Sequence, residues 1–92
     1  MNEVKFAVVG FGHIGRRHAT IIREFPGARL VAIVDSDPRV QQDKLYPADV
    51  PFFDSIDSMF NSGIEPDVVN IATPNGTHAR LAVEALSKKC HV

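Results

Sequence analysis

Val4-Lys5-Phe6-Ala7-Val8-Val9-Gly10-Phe11-Gly12-His13-Ile14-Gly15 decides the fold. The first six residues are almost continuously apolar and rich in β-formers. That pattern predicts a strand buried on both faces, as in a parallel sheet. The glycines follow at once, and Ile14, His18, Ile21, Ile22 and Phe25 then recur at i, i+4, i+7, i+8 and i+11. Such spacing predicts one apolar face of a helix, stopped by Pro26-Gly27.

A strand running through Gly-x-Gly-x-x-Gly into a helix is the dinucleotide-binding fingerprint. Gly10 permits the tight turn, Gly12 lets backbone approach a pyrophosphate, and Gly15 lets the helix pack closely. The helix N-terminus turns unpaired N–H groups and partial positive charge toward the phosphates. Leu30-Val31-Ala32-Ile33-Val34 reads as a second buried strand, closed by Asp35, twenty residues after Gly15. A carboxylate there accepts hydrogen bonds from the adenosine ribose hydroxyls. It also repels a 2′-phosphate: two unit charges 4 Å apart at an effective dielectric near 20 interact by roughly 4 kcal/mol before salt screening. NAD is therefore expected over NADP, with Arg39 the cation able to swing toward a 2′-phosphate. Asp37-Pro38 reads as a helix cap followed by proline at the first helical position. Arg16 and Arg17 read as a solvated helix face.

Further along, a short helix is expected before Pro47. A short strand is expected at Val50-Pro51-Phe52-Phe53, with Pro51 weakening its first half. A helix capped by Asp54 should run through Met59 and Phe60, and Gly63 and Pro66 mark a turn. A fourth strand is expected at Val68-Val69-Asn70-Ile71-Ala72. A loop at Thr73-Pro74-Asn75-Gly76 follows, then an amphipathic helix over Ala79, Ala82, Val83 and Leu86. Cys90-His91-Val92 reads as the start of a fifth strand. Alternating strands and helices predict an α/β, Rossmann-type doubly wound parallel sheet. It is incomplete, with about four strands and a stub of the fifth. Residues 1–92 are thus expected to form part of a dinucleotide-binding domain, with a substrate domain absent from this chain.

Composition narrows the class further. The chain is 45% hydrophobic and 23% charged, and ten Lys plus Arg face eleven Asp plus Glu. This is globular composition, without the basic excess that marks nucleic-acid binders. No apolar run approaches the roughly 20 residues of a membrane span, and no signal peptide is evident. One cysteine forms no internal disulfide, so a cytoplasmic protein is expected. Four histidines raise the question of metal. His13 and His18 diverge by about 140° around a helix, and no metal-binding motif is present, so no metal is expected. His18, on the apolar stripe, reads as a packed, hydrogen-bonded core histidine. Cys90 reads as a small hydrophobe.

Three segments together carry a resemblance: Gly10-Phe11-Gly12-His13-Ile14-Gly15-Arg16-Arg17-His18, Leu30 with the run to Asp35, and Asp67-Val68-Val69-Asn70-Ile71-Ala72-Thr73-Pro74-Asn75-Gly76-Thr77-His78. They resemble the Gfo/Idh/MocA oxidoreductases. The resemblance implies an N-terminal domain that binds NAD or NADP, and hydride transfer to or from sugars, inositols and related polyols. By that resemblance the stretch Gly10, Phe11, Gly12, His13, Ile14, Gly15 cradles the pyrophosphate, and Asp35 holds the ribose. Thr73, Pro74, Asn75 and His78 line the nicotinamide side. Lys89 stands where the family usually has glycine. The family's Glu-Lys-Pro motif follows a His-Val pair like His91-Val92, so no catalytic residue is assigned here. Two alternatives are a non-catalytic nucleotide-sensing module, over which the segment from Thr73 to His78 favours the enzyme, and a methyltransferase, which does not account for that segment. An unpaired sheet edge is expected to make the chain self-associate, by strand exchange for example.

Overall fold

The computed structural model describes residues 3–72. The described elements are β1 (Val4–Val9), α1 (His13–Glu24), β2 (Ala28–Val34), a 3-10 turn at Pro38–Gln42, β3 (Phe52–Phe53), α2 (Ile56–Asn61) and β4 (Val68–Ile71). All strand pairs are parallel, and the sheet order is β3-β2-β1-β4. The first strand therefore lies between the second and the fourth. The expected α/β parallel sheet is present. The helix and strand stub expected past Ala72 lie outside the described residues.

Two apolar layers sandwich the sheet. Ala7, Val9, Ala32, Val34, Val69 and Ile71 face α2, where Ile56 and Met59 are buried. Val8, Leu30 and Ile33 face α1, where they meet Ala19 and Ile22. Side chains of a strand alternate between faces, yet Leu30 and Ala32 belong to opposite layers. The cause is a register shift: Phe6 pairs with Leu30 but Ala7 pairs with Ala32, so Val31 is an extra residue. A bulge of this kind reverses the parity of everything after it.

Helix α1 is rotated from the expected orientation. Its buried residues are Gly15, Ala19 and Ile22, whereas Ile14, Ile21 and Phe25 are more than half exposed. The rotation is set by Gly15. A Cβ at that position would overlap the carbonyl oxygen of Gly10 and lie 2.8 Å from its carbon. The helix thus presents Gly15 and Ala19 together with Ile22, rather than Ile14, Ile21 and Phe25, to the chain beneath. His18 is half-buried, but its Nδ1 atom is buried with no hydrogen-bond partner among the described residues, so the expected bond is not made there.

Two caps illustrate local control. Asp37 caps the 3-10 turn as read, its carboxylate accepting the Arg39 N–H at 3.0 Å. The α2 cap is Ser55 rather than Asp54. Ser55 is extended, and its Oγ accepts the Ser58 N–H at 3.1 Å, while Asp54 instead accepts the Ser58 hydroxyl at 2.9 Å. Beyond the 3-10 turn, residues 43–50 cover the α1 layer without a helix of their own. Arg16 binds Asp43 at 2.6 Å, so it is not simply solvated, and Arg23 binds Asp49 at 2.8 Å. Tyr46 packs edge-on against Phe11 with centroids 5.4 Å apart, and its hydroxyl donates to the Val50 carbonyl. Among the described residues no helix is long and apolar enough to cross a membrane.

The rotation of α1 is testable by substitution. Ile22→Ala should cost about 2–5 kcal/mol, and the adjacent Ile21→Ala less than about 1 kcal/mol. Denaturant unfolding of the two variants measures both. Equal losses would contradict the assignment of the buried face.

Candidate functional site: a glycine loop and a fixed carboxylate

The C-terminal ends of the strands are knitted into one rim. Gly10 donates its N–H to the Val34 carbonyl at 2.6 Å, Asp35 to Phe53 at 3.0 Å, and Ala72 to Val9 at 2.8 Å. Gly10 sits at φ +93°, a conformation that L side chains rarely adopt. The chain can therefore turn at once from β1 into α1.

Gly12 is the N-cap of α1. It makes no side-chain cap bond, and no acidic residue stands in the first turn. The partial positive charge of a twelve-residue helix is thus not offset by a carboxylate in its own first turn. A Cβ on Gly12 would meet nothing within 4 Å. The glycine therefore faces open space above the loop, where a phosphate group can approach backbone. Gly12 and Gly15 differ in their surroundings: one faces open space, and the other leaves room for the protein. His13 and Ile14 begin the helix and are exposed.

Phe11 belongs elsewhere. Its ring is 2% exposed, packed in the layer with Val8, Ile22 and Ile33. What it offers the site is its N–H, which donates to Asp35 Oδ2 at 2.8 Å. The other carboxylate oxygen, Oδ1, accepts the Asp37 N–H at 2.8 Å. Asp35 is half-buried at the end of β2 and is oriented from both sides. An ionised carboxylate has about four acceptor positions, so two backbone bonds leave capacity for ligand hydroxyls. The turn at Asp35-Ser36-Asp37 is the kind an aspartate makes with its own backbone two residues on. That signal was legible in the sequence, whereas the bond to Phe11, twenty-four residues away, was not.

The structure brings Gly10, Phe11, Gly12, His13, Ile14, Gly15 and Asp35 together at the end of β1. Thr73, Pro74, Asn75 and His78 lie outside the described residues. Two hollows flank this rim and reach it at His13 and at Phe53. One of about 550 Å³ follows the outer side of α1 past Arg17, Thr20 and Leu45. The other, about 430 Å³, lies on the β3 side between Ser36, Phe53 and Ser58. No cluster of three or more metal-ligating side chains occurs among the described residues.

An uncapped helix N-terminus beside an oriented carboxylate, on a parallel sheet with β1 next to β4, defines a dinucleotide-binding Rossmann domain. The family described as "Oxidoreductase family, NAD-binding Rossmann fold", Gfo/Idh/MocA, matches residues 4–92, and this chain belongs to it. Inositol 2-dehydrogenase of Rhizobium meliloti (strain 1021) is 35% identical over 80 residues, spanning 85% of this chain and 23% of that protein. Scyllo-inositol dehydrogenase from Lactobacillus casei, solved with NAD(H) and scyllo-inositol, superposes with a TM-score of 0.81 at 28% identity. The match covers 99% of this chain and 27% of that one. The WlbA dehydrogenase from Bordetella pertussis, solved with NADH and UDP-GlcNAcA, gives 0.86 at 29% identity over 99% of this chain and 28% of that one. The chain thus spans about a quarter of the length of these relatives.

The two glycines separate stability from binding. Gly15→Ala should cost about 1–3 kcal/mol through overpacking. Gly12→Ala should cost less than about 1 kcal/mol yet weaken uptake of NAD. Unfolding and calorimetric titration of both variants check this. A stable Gly15→Ala protein would refute the contact with Gly10.

Proposed function

We propose that this chain is the cofactor-holding part of an oxidoreductase that moves a hydride between a nicotinamide dinucleotide and a sugar, inositol or related polyol. The observation that carries the reading is the Asp35 carboxylate, held by the Phe11 and Asp37 N–H groups beside the uncapped start of α1. Backbone donors there take the pyrophosphate, and the remaining acceptor positions of Asp35 take the adenosine ribose hydroxyls. A bound nicotinamide supplies the hydride acceptor or donor. Thr73, Pro74, Asn75 and His78 line the nicotinamide side in this proposal, on their match to the family pattern. The substrate class follows the dehydrogenases named above, and a substrate domain outside these 92 residues completes the enzyme. The protein works in the cytoplasm.

Asp35 favours NAD over NADP, because a fixed negative charge where the ribose sits opposes a 2′-phosphate. In calorimetric titrations of the full-length protein, NAD should bind more tightly than NADP. Asp35→Ala should weaken NAD at least tenfold and narrow the gap. A wild-type protein that prefers NADP would overturn the assignment.

Expressed alone, the 92-residue chain should self-associate. β4 is an edge strand of the described sheet. Among the described residues no strand pairs with its outer edge, and an edge left in that way recruits other strands. Light scattering should give a mass above that of one chain, and a well-folded monomer would refute the expectation.

A further inference from the structure

Past Asp35 the chain carries a second acid–base arrangement. The carboxylate of Asp37 takes the Arg39 guanidinium in a fork, with Nε 3.0 Å from Oδ1 and 3.2 Å from Oδ2, and the second nitrogen 2.9 Å from Oδ2. The same carboxylate caps the turn through the Arg39 N–H. Asp37 also donates its own N–H to Asp35. Asp35, Asp37 and Arg39 therefore form one connected unit, with the acid meant for the ribose at one end and the cation at the other.

We propose that Asp37 is a specificity-determining residue: it holds Arg39 back from a 2′-phosphate and so reinforces the preference for NAD. This deepens the reading that Asp35 receives the adenosine ribose, and rests on it. A forked guanidinium matches phosphate and carboxylate alike, so whichever anion holds Arg39 denies it to the other. The Arg39 side chain is 82% exposed and that of Asp37 41%. Solvent weakens such a pair, and the latch is accordingly modest. The hydrogen bonds from Arg39, side chain first and then backbone, hold the Asp37 carboxyl below its ordinary range. The latch is therefore charged at neutral pH.

The test is a double-mutant cycle in the full-length protein, titrated calorimetrically with NAD and with NADP. Asp37→Asn keeps an oxygen for the cap but removes the anionic fork. It should raise the NADP-to-NAD affinity ratio about fivefold, the weight of one exposed ion pair. Arg39→Ala alone should change that ratio less than twofold, because Arg39 is already withheld. The double variant should lose the gain. Asp37→Ser, a second capping residue, should reproduce the gain and carries the test if Asp37→Asn does not fold. An unchanged ratio in the Asp37 variants overturns the proposal. So does a double variant that keeps the gain, since losing the Asp37 charge would then be the cause. Failure of wild type to bind either dinucleotide sinks the parent reading and the latch together. NAD binding that depends on Asp35, with no response in the cycle, sinks the latch alone.

Discussion

The contact between Gly15 and the carbonyl of Gly10 governs the rest of this structure. A helix leaving a strand through a three-residue loop, Gly10 to Gly12, must either stand off from that loop or lack a side chain where the two meet. This chain takes the second course. Ala19, one turn on, and Ile22 follow Gly15 into the interior as a matter of helical geometry. The same contact holds the first turn of α1 over the end of β1, so the helix dipole is directed at the rim of the sheet. Packing and ligand electrostatics are in this way set by one missing Cβ.

Asp35 connects this arrangement to the second strand. Its carboxylate takes one N–H from the glycine loop and one from the turn toward Asp37. Such charge-assisted bonds to backbone are stronger than neutral ones, and they fix the carboxylate before any ligand arrives. Preorganisation of this kind lowers the ordering cost of binding. The loop gains as well: the Phe11 ring in the core and its N–H on Asp35 hold the segment between the first two glycines from both ends.

Much of this was legible in the sequence because it depends on local pattern. The four strands follow from short apolar runs, and the order of elements from their alternation with helices and turns. The glycine spacing and the acid twenty residues on marked the candidate site. What could not be read depends on contacts distant in sequence. The rotation of α1 follows from the close approach of Gly15 to Gly10, whereas periodicity ranked Ile14, His18, Ile21, Ile22 and Phe25 as the buried stripe, of which only Ile22 is fully buried. Hydrophobic spacing weighs residues by how apolar they are and is blind to the small ones that allow close approach. The extra residue at Val31 is likewise invisible without the partner strand. Ser55 displaced Asp54 as a cap because both residue types favour that position, and only the start of α2 at Ile56 chooses between them. The pairing of Arg16 with Asp43 lies across twenty-seven residues, beyond the reach of any local rule.

The two ends of the site are built by different physics. The glycine-loop end rests on the core: Gly10 is buried, Phe11 is packed, and α1 is seated by Ala19 and Ile22. Burying a side chain such as Ile22 is worth about 1.5–3 kcal/mol, so changes there act on folding and binding together. The end past Asp35 is a short 3-10 turn with exposed side chains, held by a cap and an ion pair. Each exposed pair is worth about 0–1 kcal/mol. Substitutions at Asp37 or Arg39 therefore leave the sheet and both apolar layers intact while altering the charge a ligand meets. On the proposed reading, a fold arranged in this way holds the pyrophosphate through its core and leaves the choice between ribose and ribose phosphate adjustable at the surface.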